Sequence, residues 1–476
     1  MTTQQTPAEP LTTRWRMLPV LLCGAFMGLL DRFIVTVAAP SLQRELGATD
    51  AILELVVAGY AFSYASGLIT GGRLGDLFGF RRLFVTGMIG FTVASLLCGL
   101  AQNPAELVVA RLLQGFAAAA MVPQVLGLIT ATFPVAERAR AMSWYGVTIG
   151  LGSVSGQLLG GALLDANLFG LGWRSIFLIN VPVGAAAVVA AWKLLPAGSG
   201  RARPRLDPVG ALGISTSLAM ALVPLALGRG QGWPVWAWVC LICSAPAVFA
   251  VLRWERAVGR RGGQPVLDLS LFNNRPFVAG LLCNVAMMAF FGSLLLVITI
   301  ILQSGMGLSA FAAGLVFLPL GAVLGGTSLV ARRLLARYGP TVITIGSAIT
   351  TAALVLLLLL AHFRGARVGV VDLLPVMALI GLGQGLAYPS LVGATLLGIP
   401  PHQAGAASGV LTTAQQFASA AGVALLEVVF FAVLGRRGGY GDFVAAAQPV
   451  LVLDVLLVGS VVFLSRLLPD TSWGET

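Results

Sequence analysis

Two ionisable residues stand inside apolar runs. Asp31 lies about fourteen residues into the run from Met17 to Ala39, and Arg111 several residues into the run over 106–132. An ionised group deep in hydrocarbon costs at least a few kcal/mol, so by default it marks function. A low-dielectric surround favours the neutral form of a carboxylate, and a neighbouring guanidinium favours the charged form. A group poised between those pulls can take and release protons near neutral pH. If both runs belong to one half of the molecule, the pair can face a central cavity. The plainer reading is a static ion pair of Asp31 with Arg32 or Arg111. Glu427 and Asp454 are weaker candidates for a second proton or cation site, because both sit toward the outer half of their runs and can snorkel to the interface. Asn284, Gln303, Gln384, Gln415 and Gln416 can line a cavity or simply hold helices together.

The elements that position these groups are set by composition. Only 10% of the 476 residues are charged and 58% are hydrophobic, with a mean hydropathy of +0.93. Soluble domains run near one-quarter charged, so this chain cannot clothe a water-facing surface. A spanning helix needs roughly 20 apolar residues. Fourteen apolar segments, from 17–39 at one end to 447–468 at the other, predict fourteen helices and an all-α, multi-pass membrane protein. No small-residue cleavage site follows the first run, which reads as a retained helix.

An even number of spans places both termini on one side. Arginine gathers on that side, at Arg73, Arg81 and Arg82, at Arg201, Arg203 and Arg205, and at Arg260 and Arg261. The bias predicts cytoplasmic termini in the plasma (inner) membrane. It also accounts for the net charge of +11 without nucleic acid. The five cysteines all fall in apolar runs; Cys240 and Cys243 form a pair with no second pair or histidine nearby, which reads as packing. His362 and His402 fall in or near loops. No nucleotide loop, metal-ligand cluster or catalytic Ser/His/Asp set is present, so neither enzyme activity nor a cofactor is expected.

An internal echo organises the chain. "ARLLQGFAAAAMVPQ" (110–124) resembles "LIGLGQGLAYPSL" (379–391), each with Gln-Gly, small residues and then proline. Six helices precede the linker near 200 and six follow the linker near 260, while the hairpin over 207–253 has no counterpart. This divides the chain into a six-helix half (1–196), linkers with a central transmembrane hairpin (197–262), and a second six-helix half (263–476). A repeated six-helix half is the sequence mark of one large class of carriers.

Between the second and third runs lies "GGRLGDLFGFRRLF" (71–84), with an aspartate and three arginines in one short turn. Gly72, Gly75 and Gly79 allow close backbone approach. Asp76 can accept hydrogen bonds from arginines or from the N-terminus of a neighbouring helix. Contacts of that kind, made in one conformation and broken in another, are what a gate requires. The plainer reading is a positive-inside loop whose Asp76 offsets local charge.

Gly72-x-Leu74-x-Asp76-x-x-Gly79-x-Arg81-Arg82 resembles the loop signature of the major facilitator superfamily. "RLLQGFAAA" (111–119) resembles that family's fourth-helix signature. "LDRFIVTVAAPSLQREL" (30–46) and "WRSIFLINVPVG" (173–184) resemble the first- and sixth-helix motifs of its fourteen-helix drug:proton antiporters. "GLGSVSGQLLGG" (150–161) has the glycine spacing of the antiporter helix, Gly152, Gly156, Gly160 and Gly161, but carries Gln157 where the family usually has proline. The expected kink is therefore open, and Gln157 can instead be a cavity-facing hydrogen bonder.

The resemblance implies two six-helix halves plus a two-helix insertion. It implies export of small amphipathic compounds in exchange for protons by alternating access, a reaction for which Asp31 and Arg111 are the candidate proton-coupling residues. It further implies gating by Gly72, Asp76, Gly79, Arg81 and Arg82, and a monomer surrounded by lipid. A major-facilitator symporter or facilitator that imports a metabolite is the competing expectation.

Overall fold

The computed structural model describes residues 11–48, 50–196, 207–228, 232–263, 265–400, 403–435 and 439–468. Linker residues Arg201, Arg203 and Arg205, His402, and the side chains of Gln157 and Asp165 lie outside the described residues. Helix is the regular structure found among the described residues. The first group is α1 (Leu11–Leu46), α2 (Asp50–Phe78), α3 (Phe80–Leu100), α4 (Pro104–Thr132), α5 (Val135–Ala166), α6 (Ser175–Leu178) and α7 (Asn180–Leu194). The hairpin is α8 (Pro208–Leu227) and α9 (Val235–Arg260). The second group is α10 (Arg275–Ile300), α11 (Ala310–Val316), α12 (Leu318–Tyr338), α13 (Thr341–Arg364), α14 (Val370–Thr395), α15 (Ala404–Leu434) and α16 (Tyr440–Leu464).

Twelve stretches among the described residues are long and apolar enough to cross a membrane. They do not include α1 and α5, which are 36 and 32 residues long. Charged residues fall in both, with Arg14, Arg16, Asp31 and Arg32 on α1 and Glu137, Arg138 and Arg140 on α5.

Local chemistry sets the ends and breaks. Asn103 caps α4 by accepting from the Glu106 N–H (2.9 Å), and the Glu106 carboxylate accepts from the Gln102 N–H (2.8 Å), a reciprocal cap with Pro104 in the first turn. Asp207 caps α8 through the N–H groups of Val209 and Gly210 (3.0 Å each). Two helices are split just ahead of a proline. The interruption between α6 and α7 precedes Pro182, and that between α11 and α12 precedes Pro319. Each proline lacks the N–H that the ladder requires and crowds the carbonyl four residues back. Gly79 joins α2 to α3 at φ 95°, which a side chain would strain.

Packing follows two parallel schemes. In the first group α4 lies against α2 and α3, and α1 against α5; in the second α14 lies against α12 and α13, and α10 against α15. One large apolar cluster is built mainly on the first group, with Phe84, Phe91 and Phe133 fully or almost fully buried, and another on the second, with Phe290, Leu294 and Ile380. The groups meet where α2 packs on α15 and α5 packs on α12 and α14.

The hairpin sits to one side. α8 rests on α2 and α15, and the Ser215 hydroxyl donates to the Ser66 carbonyl (2.9 Å), while α9 packs mainly on α8 and is otherwise almost entirely unburied. A scan of α9 with small polar substitutions is expected to leave the spectrum of transported compounds unchanged. The same scan on α1 is expected to alter it. Resistance profiles of the two variant sets make the comparison, and a selectivity change mapping to α9 would contradict it.

Candidate functional site: a central cavity, a buried ion pair and a closed end

A cavity of about 470 Å³ lies between the two groups of helices, within the range of sites for drug-sized ligands. One wall comes from α1, α2, α4 and α5, with Arg32, Tyr64 and Tyr145; the other comes from α10, α12, α14 and α15, with Met288, Phe291 and Tyr388. Gln303, Gln384, Gln415 and Gln416 line it. Asn284 stands behind the wall, where it accepts from Gln415 Nε2 (2.8 Å) and donates to Thr395 Oγ1 (3.1 Å). Arg32 Nη1 donates to Gln416 Oε1 (2.6 Å), which ties α1 to α15 across the cavity.

Asp31 and Arg111 meet in an ion pair in which both side chains are fully buried. Asp31 Oδ1 also accepts from Gln114 Nε2 (3.0 Å) and Asn180 Nδ2 (2.9 Å). Arg111 further donates through Nη1 to Gln114 Oε1 (2.8 Å) and through Nε to the Val56 carbonyl (3.3 Å), and its guanidinium lies 4.3 Å from the Tyr60 ring centroid. Asn180 Nδ2 reaches on to Ser95 Oγ (3.0 Å). The network therefore joins α1, α4, α7 and α3 inside the first group.

Neither member of the pair lines the cavity, contrary to the expectation that they face it. The reason is helical phase. Successive residues turn by about 100° around an α-helix, so Arg32 faces the cavity while Asp31 faces α4 and α7. Tyr60, whose hydroxyl donates to the Gly28 carbonyl (3.0 Å), stands beside the pair. The pair therefore lies behind the cavity wall rather than in it.

Asp454 of α16 is fully buried, so it does not snorkel. Ser293 Oγ of α10 donates to its Oδ2 (3.2 Å), and its Oδ1 has no hydrogen-bond partner among the described residues. In each group, then, the last helix reaches the first through a polar contact: Asn180 to Asp31, and Asp454 to Ser293. Glu427 is half-buried on α15.

The end of the bundle that carries the basic turn is closed. Asp76, with its side chain almost fully buried, accepts from the backbone N–H groups of Gly405 (2.8 Å) and Ala406 (2.7 Å). These lie in the first turn of α15, so the carboxylate caps a helix of the other group at its positive end. Arg73 Nη1 stands 4.0 Å from the same carboxylate. Backbone-to-backbone proximity makes this possible. A Cβ on Gly72 would collide with the Gly405 carbonyl, and one on Gly409 would press on the Leu68 carbonyl at 3.0 Å. The Ser408 hydroxyl donates to the Pro123 carbonyl (3.0 Å), adding a third tie between groups. Arg81 reaches the Trp192 carbonyl and lies over its ring (5.3 Å), within the first group, and Arg82 is exposed.

Helix α5 runs unbroken through Gly152, Gly156, Gln157, Gly160 and Gly161. A Cβ on Gly152 would touch the Leu29 side chain of α1 (3.1 Å), and one on Gly161 would contact Phe311 of α11 (3.4 Å). The glycines thus let α5 lie close to both groups.

Gln114, Asn180, Ser95 and the Gly405–Gly409 pair are absent from the residues picked out from sequence as chemically important. Gln114 carried a usable signal, since it lies three residues after Arg111 on the same helix face. Asn180 carried a weaker one, as a lone amide in an apolar run.

A helical bundle in two packed groups around a midway cavity, closed at one end by contacts that a rocking motion can break, is the architecture of an alternating-access carrier. The chain belongs to the Major Facilitator Superfamily, whose family model matches residues 21–423. It is 38% identical over 434 residues to a probable actinorhodin transporter of Streptomyces coelicolor, covering 90% of this chain and 74% of that protein. It is 37% identical to the puromycin resistance protein pur8 of Streptomyces alboniger, covering 88% and 82%. Its fold matches the solved structure of the proton:xylose symporter XylE at a TM-score of 0.66 and 15% identity, covering 97% of each chain.

Proposed function

We propose that this protein exports small amphipathic compounds across the plasma membrane in exchange for protons, by alternating access to the cavity between α1–α7 and α10–α16. The observation that carries the reading is the pairing of a drug-sized cavity with a closed end held by Asp76 on α15. The relative named as puromycin resistance protein pur8 supports the outward direction. In this reading α1 and α5 also cross the membrane, giving fourteen spans with both termini cytoplasmic, and the closed end faces the cytoplasm.

The coupling element is the Asp31–Arg111 pair with Gln114 and Asn180. Protonation of Asp31 removes its charge, weakens its hold on Arg111 and loosens α1 against α4 and α7. Because Arg32 and Gly28 of α1 line the cavity, that movement is felt at the bound compound. The halves 1–196 and 263–476 move as the two bodies, and the hairpin within 197–262 rides at the side of a monomer in lipid. Asp454 and Glu427 are secondary coupling candidates.

Expression in an efflux-deficient bacterial host tests the reading. The host is expected to gain resistance to a subset of aromatic antibiotics, and a protonophore is expected to abolish that gain. Unchanged sensitivity across a broad panel with the protein present in the membrane, or increased sensitivity, would favour an importer instead.

A further inference from the structure

Charge is unevenly distributed around the cavity. Arg32 is the one charged side chain among the described residues that line it, and no carboxylate faces it. Its neighbour Asp31 is turned away, with its oxygens engaged by Arg111, Gln114 and Asn180. The negative charge of Asp31 is therefore matched against Arg111 inside the first group. What faces the cavity is the Arg32 guanidinium, and its Nη1 donates to the Gln416 amide oxygen.

The remaining polar wall is uncharged and rich in flat surfaces. Tyr64, Tyr145, Tyr388, Phe291 and Phe317 supply the aromatic lining. Gln303, Gln384 and Gln415 supply amides that both donate and accept. Aromatic rings of this kind hold planar ring systems by stacking and edge contacts. Amides and phenolic hydroxyls suit the carbonyls and hydroxyls such a ring system carries.

We propose that the cavity selects planar aromatic anions, compounds with a carboxylate or an ionised phenol on a flat, oxygen-rich ring system, and that Arg32 pairs with the anionic group. The proposal rests on the cavity being the transport site and names its substrate class. A guanidinium presents a planar fork that matches a carboxylate through two parallel hydrogen bonds. Inside the bundle, where the effective dielectric is below that of water, that pairing is stronger than in bulk solvent, and the same charge repels a lipophilic cation. The anion also competes with Gln416 for Arg32. Binding would then release a tie between α1 and α15, which links occupancy to the movement of the two groups.

Calorimetric titration of the purified, full-length protein in detergent tests this with three probes. They are 4,5-dihydroxyanthraquinone-2-carboxylic acid, its 2-carboxamide, and the cation ethidium. The carboxylate is expected to bind about tenfold or more tightly than the carboxamide, and ethidium more weakly than either. Arg32→Gln is expected to bring the carboxylate-to-carboxamide ratio near unity, and Gln416→Ala, which leaves the guanidinium in place, to tighten carboxylate binding. Ethidium binding as tightly as the carboxylate would overturn the proposal, as would a ratio unchanged in a folded Arg32→Gln protein. Transport separates this proposal from the export reading. Uphill export of ethidium but not of the carboxylate would sink the anion proposal and leave export standing. Carboxylate-selective binding without uphill transport of any probe would do the reverse.

Discussion

Asp31→Asn is expected to abolish proton-driven accumulation of substrate while leaving substrate binding intact. The amide keeps the shape of the carboxyl group and can still accept from Gln114 or Asn180, but it cannot titrate. The difficulty lies with Arg111. Its side chain is fully buried, and removing its ionised partner leaves a charge uncompensated in the core, which costs about 3–5 kcal/mol. The single variant is therefore expected to fold with reduced yield. The double variant Asp31→Asn/Arg111→Gln removes both charges, so it is expected to recover yield while remaining uncoupled. Arg111→Ala fails differently, because Asp31 keeps its proton site and loses the partner that stabilises its ionised form. Size-exclusion profiles, and binding of a compound that the wild-type protein transports, separate folding from coupling. A static structural pair predicts instead that the double variant, once folded, transports normally.

Asp76→Asn is expected to fold and insert, yet to lose most turnover, because it weakens only one of the two end states. The carboxylate accepts from two backbone N–H groups at the start of α15. An asparagine presents one oxygen and one NH₂, and the NH₂ faces a donor. Losing one charge-assisted bond costs about 1.5–3 kcal/mol, and the helix-end interaction adds up to about 1 kcal/mol. Together these shift the population away from the closed end by roughly one hundredfold, since each 1.4 kcal/mol is about a factor of ten. Spin labels at Phe78→Cys and Gln403→Cys, in a background without the native cysteines, report that end directly. The Asn variant is expected to show the longer distance as the major species in the absence of substrate. Unchanged distances with normal flux would return the turn to a plain positive-inside loop.

How much could be read from sequence depended on whether a residue's role is local. Asp31 and Arg111 stood out because a charge in an apolar run needs no neighbour to be conspicuous. That they meet required only that α1 and α4 be adjacent. Which way Asp31 points was not legible, because Asp31 and Arg32 are adjacent and no periodicity in so uniformly apolar a run says which faces inward. The cavity guanidinium was thus passed over in favour of the acid beside it. Asp76 was legible as a hydrogen-bond acceptor in search of a donor, but its donors are 329 and 330 residues away in the chain, and only tertiary packing selects them. The interruptions before Pro182 and Pro319 were foreseeable from proline chemistry. The snorkelling alternative for Asp454 failed because the residue faces Ser293 in the bundle rather than the interface.

The central claim is that a proton gradient drives compounds outward through this cavity. Inside-out membrane vesicles, acidified within and containing the wild-type protein, test it most directly. They are expected to accumulate an aromatic substrate above its external concentration, with protons leaving as substrate enters, and to release it when a protonophore collapses the gradient. Uptake that stops at equal concentrations whatever the pH difference, or that is driven only when the vesicle interior is alkaline, would contradict the account.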